Sequence, residues 1–254
     1  MAIRYEEASK HVVLLTIDRP EARNALDPAT LTALADAWER AEADDDVRVV
    51  VVTGAGDRSF CAGADLKETI GASGLDPRAM DVALLKSYPF SKAVVAAVNG
   101  YCVAGGMEIL LGTDIRYAVP EAEFGLQEVK WAIFPFGGGA TKLVRQIPYA
   151  RAMELLLLGN RIGAEEAASC GLINEVVDRD QLLERAMQTA TALARNGPLS
   201  IRAIKRVVHR TYGIVGPDDL AYEASQAVPV FASEDAREGP KAFAQKREPD
   251  YSGQ

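Results

Sequence analysis

Apolar and polar positions along the chain repeat with two different periods, and the places where the period changes mark its elements. Ile3-Arg4-Tyr5 and Val12 to Ile17 read as strands, with polar Ser9-Lys10 between them, and predict a hairpin. Asp18-Arg19-Pro20 breaks the second strand. Asp27-Pro28 then predicts a helix start, the aspartate as N-cap and the proline in the first turn. Leu31, Leu34, Ala35 and Trp38 recur at helical spacing and are expected to face the core. Val47 to Val52 is a β-branched run interrupted only by Arg48, the pattern of a strand covered on both faces. Similar runs follow at Ala93–Val98, leading into Asn99-Gly100, and at Ile115–Val119, leading into Pro120. Strands that alternate with helices and end in glycine or proline turns indicate the α/β class. From Ala150 onward the pattern is almost wholly helical. Asn196-Gly197-Pro198 punctuates it, and amphipathic segments follow near 199–213, 217–232 and 234–247. The expected organisation is an α/β core over residues 1–196 with a C-terminal helical appendage over 197–254.

Composition narrows the function classes. With 254 residues, 48% of them hydrophobic, the chain has ample material for a buried core. It contains no apolar run of about 18 residues, so no membrane span is expected, and its first residues lack an apolar signal core. The net charge of −8 and the absence of an extended basic stripe argue against a nucleic-acid partner. Cys61, Cys102 and Cys170 are odd in number and lack metal-ligand spacing, which suits reduced thiols in a cytoplasmic protein with no metal site.

The usual catalytic signatures are missing. There is no G-x-S-x-G elbow, and Gly54-Ala55-Gly56 lacks the third glycine of a dinucleotide fingerprint. His11 and His209 have no nearby sequence partner, which favours surface roles. Gly137-Gly138-Gly139 before a helix suits either an anion site or a plain structural turn. Two other segments place small residues after an apolar strand and before a helix start: Ser59 to Lys67, and Asn99 to Glu108. Two such turns facing one another would make an oxyanion hole; tight chain packing explains the composition equally well.

Several motifs in order carry a resemblance. Arg19-Pro20-Glu21-Ala22-Arg23-Asn24-Ala25-Leu26 comes first, then Phe60 to Leu66 and Ala97-Val98-Asn99-Gly100. Ala104-Gly105-Gly106-Met107-Glu108, Asp114-Ile115-Arg116, Phe124-Gly125, Glu128 and Ala244 to Pro249 follow. Together they resemble the crotonase, or enoyl-CoA hydratase/isomerase, superfamily over nearly the whole chain. The resemblance implies a crotonase-like spiral of ββα units and an acyl-CoA thioester substrate. Coenzyme A would be part of that substrate, with no separate cofactor. It implies that the amides of Ala64 and Gly105 bind the thioester oxygen, and that Glu108 and Glu128 are the acid/base pair of reversible 2-enoyl-CoA hydration. Ala22, Arg23, Ala25, Ala62, Asp65 and Leu66 match segments lining the coenzyme A site. It also implies a homotrimer or hexamer whose C-terminal helices help complete a neighbouring site, with Lys246 or Arg247 near phosphate. Arg23, Lys67 and Lys241 are further cations that would offset the acidic field there.

In the loop after Glu128 the chain departs from the family pattern. Family hydratases commonly read isoleucine-proline-glycine where this chain has Phe134-Pro135-Phe136. Pro135 and Phe136 are placed with the substrate-binding residues. A phenyl group in place of glycine disfavours positive φ and fills space near the acyl chain. Isomerisation, or dehydration of a specialised acyl-CoA, is the alternative within the same enolate chemistry. A non-catalytic acyl-CoA-binding subunit is the alternative outside it.

Overall fold

A computed structural model describes residues 2–65, 76–211, 217–247 and 249–250. The chain opens with the expected hairpin, β1 (Ile3–Ser9) and β2 (Val12–Ile17), paired antiparallel. Helix α1 (Pro28–Ala43) starts where Asp27-Pro28 predicted, and the Asp27 carboxylate accepts the Thr30 amide at 2.7 Å. Leu31, Leu34, Ala35 and Trp38 are all buried. Next come β3 (Val49–Gly54), β4 (Ser59–Cys61), α2 (Pro77–Ala83), β5 (Ala93–Val98) and β6 (Tyr101–Val103). Helix α3 (Gly105–Leu110), β7 (Ile115–Ala118) and β8 (Glu123–Gly125) lead to a 3-10 turn at Glu128–Trp131. Then follow α4 (Gly139–Gln146), α5 (Tyr149–Leu158), β9 (Ile162–Gly163), α6 (Ala164–Ser169) and β10 (Glu175–Val176). Four helices finish the chain: α7 (Leu182–Arg195), α8 (Pro198–Thr211), α9 (Pro217–Ala232) and α10 (Asp235–Gln245).

Two sheets result. One runs β1-β2-β3-β5-β7-β10 and the other β4-β6-β8-β9. Every pairing is parallel except β1 with β2 and β8 with β9. Strands β3 and β5 lie at the centre of the larger sheet. Val49 to Val52 and Ala93 to Val98 are all buried, as their continuous apolar runs require. Helix α7 covers β3, β5 and β7, while α1 packs on α2 and on the hairpin. Trp38 is wholly buried at the α1–α2 contact, donates its indole N–H to the Ala83 carbonyl and meets Phe90 edge-on. Truncating such a side chain costs about 3–5 kcal/mol.

Strands β9 and β10, two residues each, interrupt the stretch read as helical. They are too short to show a two-residue period, and only their partners β8 and β7 define them. The smaller sheet positions the two small-residue turns. Its strands β4 and β6 pair in parallel with Cys61 beside Cys102, so both small-residue turns emerge from the same end of the sheet.

Candidate functional site

The first turn is tied down by the segment before α1. Arg23 and Asn24 both adopt φ 56, a conformation that asparagine tolerates better than most residues. Asn24 is completely buried. Its Oδ1 accepts the Arg19 amide, and its Nδ2 donates to the carbonyls of Ala55 and Ser59 at 3.0 and 2.6 Å. The chain then runs beside residues 62–65. Ala62 donates to the Arg23 carbonyl, Leu26 to that of Gly63, and Asp65 to that of Leu26, at 2.8–3.2 Å. This is one parallel bridge between Leu26 and Ala64. It uses the groups flanking Ala64, so the N–H of Ala64 itself points away from Leu26.

Gly105 lies on the free side of Ala64. A Cβ built on Gly105 would stand 3.6 Å from the Ala64 nitrogen, and one on Gly63 would stand 3.0 Å from the Gly105 nitrogen. Gly105 is the first residue of α3, where amides have no intrahelical acceptor. Ala104 before it holds φ 50 and ψ −124, a strained conformation for a residue with a side chain. Among the described residues neither amide donates to a backbone acceptor. The structure therefore brings Ala64 and Gly105 together as two adjacent amide donors.

The two glutamates lie on separate elements and are both buried. Glu108 stands one turn into α3 among Met107, Ile109 and Leu110, and is 4% exposed. Its Oε1 accepts the Gly139 amide at 3.1 Å. A Cβ on Gly137 would come closer than 3.0 Å to its Oε2, so the glycine-rich loop folds directly onto this carboxylate. Glu128 opens the 3-10 turn, is 6% exposed, and its Oε2 has no hydrogen-bond partner. Burial first, and then the charge of Glu108, push its pKa up to about 8. One carboxyl of the pair is thus held neutral at pH 7 by the other and by lack of solvent.

Phe134, Pro135 and Phe136, shortly after Glu128 in sequence, are half-buried. Phe136 does not adopt positive φ; in this region Ala132 and Gly138 do. Replacing a glycine by phenylalanine here carries no left-handed strain. Its ring lies under the ammonium of Lys86, 3.7 Å from nitrogen to ring centre.

The remaining site residues sit around the Ala64 turn or at the C-terminus. Ala25 is buried, Ala22, Ala62 and Asp65 are half-buried, and Arg23 is exposed. Arg19 ties this group together, donating to the Ala25 carbonyl at 2.7 Å and pairing with Asp27 at 2.9 Å and Asp65 at 3.9 Å. Leu66 and Lys67 lie outside the described residues. Lys246 is exposed at the left-handed C-cap of α10, and Arg247 forms an ion pair with Glu238. Helix α10 packs on the 3-10 turn of its own chain. Gly239 lies against the Trp131 backbone, and Phe243 meets the Trp131 ring edge-on at 4.9 Å.

The sequence profile of the enoyl-CoA hydratase/isomerase family matches residues 7–254. The chain belongs to this family. It is 43% identical to enoyl-CoA hydratase EchA19 of Mycobacterium tuberculosis, an alignment covering 96% of this chain and 94% of that protein. It is 39% identical to (E)-benzylidenesuccinyl-CoA hydratase of Thauera aromatica, over 97% and 98% of the two chains. Among solved structures it superposes on a carnitinyl-CoA hydratase from Mycobacterium avium with a TM-score of 0.93, at 40% identity over 100% and 99% of the chains. The crotonase fold expected from the ordered motifs is therefore the fold of this chain.

Five residues around the site carry no assigned role in the sequence alone. Asn24 lies inside the Arg19 to Leu26 motif, but only its burial and three bonds show that it ties that segment to the strand before the Ala64 turn. Gly137-Gly138-Gly139 was open between anion site and turn; the anion it meets is the Glu108 carboxylate. Lys86 ends the segment Thr69 to Lys86, whose small and polar residues and place after the Ala64 turn suggest a part in substrate choice but single out no side chain; residues 69–75 of it lie outside the described residues. Among the described residues no group of three His, Cys, Asp or Glu side chains could hold a metal, and no helix is long and apolar enough to cross a membrane.

Proposed function

We propose that this chain is an acyl-CoA hydratase that adds water reversibly across the double bond of a 2-enoyl-CoA thioester. The observation that carries the reading is the buried pair Glu108 and Glu128, the second with a pKa pushed up to about 8 by burial and by the charge of the first, in a chain that also sets the amides of Ala64 and Gly105 side by side. In the proposed reaction the thioester oxygen accepts the N–H groups of Ala64 and Gly105. Electron density moves onto that oxygen as the nucleophile adds, and a preorganised donor contributes about 3 kcal/mol where the charge develops. Glu108 takes a proton from water as its oxygen bonds to C3. Glu128, protonated at the start, delivers its proton to C2 as the enolate collapses. The elements of water are added across the bond, and proton transfer between the two carboxyls restores the starting state.

Ala22, Arg23, Ala25, Ala62, Asp65 and Leu66 are proposed to line the coenzyme A site, with Lys246 toward phosphate. Pro135 and Phe136 are proposed to border the acyl group. The test uses crotonyl-CoA and longer 2-enoyl-CoAs, following loss of the conjugated thioester absorbance. Decay is expected, and its absence at every chain length with folded protein would sink the reading.

A homotrimer or a pair of trimers is proposed as the assembly, with residues 197–254 as the assembling unit. Leu199, Ile204 and Val207 on α8 support this, since each is more than half exposed in the single chain. Light scattering is expected to give three or six times the 27.3 kDa chain mass; a monomeric mass would refute it. A cytoplasmic location is proposed from the free thiols Cys61, Cys102 and Cys170.

A further inference from the structure

Lys86 lies just past α2 in a tightly closed turn. The amides of Leu85 and Lys86 donate to the carbonyls of Val82 and Asp81 at 3.0 and 2.9 Å, and Leu85 holds φ 49. Ser87 donates to the Asp81 carboxylate through both its amide and its hydroxyl, at 3.1 and 2.7 Å. From this fixed root the Lys86 side chain runs inward and is buried. Its ammonium donates to the Phe136 carbonyl at 2.5 Å and lies over the ring of the same residue. One nitrogen thereby holds both the backbone and the rotamer of Phe136. Lys142, 1% exposed on α4, makes the reciprocal bond, donating to the Leu85 carbonyl at 2.5 Å. Two cations therefore cross between the same two segments, and a Cβ built on Gly138 would lie 3.4–3.6 Å from both stems.

The residues between these anchors are those that touch Glu108. Gly137 packs against its Oε2, and Gly139 donates to its Oε1. Three successive glycines have more backbone freedom than any other tripeptide and hold one conformation only if both ends are fixed. Charge-assisted bonds to carbonyls in a buried setting are strong enough to do so. We infer that Lys86 is a positioning residue, which clasps Phe136 so that the Gly137–Gly139 loop holds the Glu108 carboxylate in its working orientation. This rests on the reading of Glu108 as the base of hydration.

The test compares wild type, Lys86→Met and Lys86→Arg by hydrogen exchange and by enoyl-CoA kinetics. Lys86→Met is expected to speed amide exchange in peptides spanning 134–146 about ten- to a hundredfold, the factor carried by one charge-assisted hydrogen bond. Peptides from β5 should not change. Its kcat is expected to fall roughly ten- to a hundredfold with KM nearly constant, and Lys86→Arg should recover part of both effects. Unchanged exchange in the loop overturns the inference whatever the activity does. So does faster exchange with unchanged kcat, or a change confined to KM. A wild type inert toward every enoyl-CoA, with the exchange difference intact, would sink the hydratase reading while upholding the clasp. If Lys86→Met does not fold, Phe136→Leu removes the ring contact alone and is expected to speed loop exchange about threefold; no change would overturn the inference.

Discussion

The amide pair and the carboxyl pair of this site are built by opposite means. In the proposed reaction Ala64 and Gly105 act through the main chain, so their side chains need only be small enough for two turns to close on one another. Position is secured by backbone bonds, by Asn24, and by the strain held at Ala104. Glu108 and Glu128 would act through side chains whose properties depend on what surrounds them. Glu108 is wrapped by a glycine loop that gives it an amide, whereas Glu128 is left with an unpartnered oxygen and a neighbouring negative charge. The first pair is a feature of chain geometry, the second of desolvation. Substitutions should therefore damage the two pairs in different currencies, stability for the amides and turnover for the carboxyls.

The largest expected effect separates them at once. Glu108→Gln and Glu128→Gln should each lower kcat by about 10²–10⁴, the usual contribution of a positioned acid or base, with no fall in thermal midpoint and, for Glu128→Gln near neutral pH, a rise. Wild-type hydration should also decline as pH rises through about 8, where Glu128 loses its proton. The folded pKa lies above the unfolded value of 4.5, so between these two pH values the folded state retains a proton that the unfolded state releases. Stability contributed by this group is present below pH 4.5 and is lost as pH rises to about 8. Denaturant titrations across that window should show the decline in wild type and lose that contribution in Glu128→Gln; equal slopes would contradict a protonated Glu128.

A smaller effect is expected where the carboxyl pair depends on the chain. Gly137→Ala puts a methyl group into the Oε2 side of Glu108, and kcat should fall about ten- to a hundredfold through displacement of the carboxylate. A steady-state assay with a melting curve checks this, since unfolding would lower the melting point as well. The smallest effects should come from the amide side. Gly106→Ala would press a methyl group into the Cys61 carbonyl and cost about 1–3 kcal/mol of stability. Gly105→Ala meets its nearest atoms, on Gly63 and Leu26, at 3.4 Å and should cost less. If Gly105→Ala proves the more destabilising of the two in thermal melts, the two turns do not meet as described.

Much of this was legible in the chain. Continuous β-branched runs at Val49–Val52 and Ala93–Val98 can be satisfied only by burial on both faces, and Asp27-Pro28 caps a helix through bonds reaching three residues. Such features are local, so the pattern alone determined the α/β class, the hairpin and the start of α1. The order of the motifs was likewise enough to identify the family and to nominate Ala64, Gly105, Glu108 and Glu128.

Other features depend on residues far apart in the sequence. That Gly139 donates to Glu108 across 31 positions, that Lys86 reaches Phe136 across 50, and that β9 and β10 exist at all are facts of tertiary pairing. The raised pKa of Glu128 belongs with them. A carboxyl's pKa is set by the water it has lost and the charge beside it, and neither is written in its flanking residues Gln127 and Val129. The sequence by itself determined which groups could do chemistry. The tertiary structure decided their state, because desolvation and charge coupling arise only when separate segments are packed together.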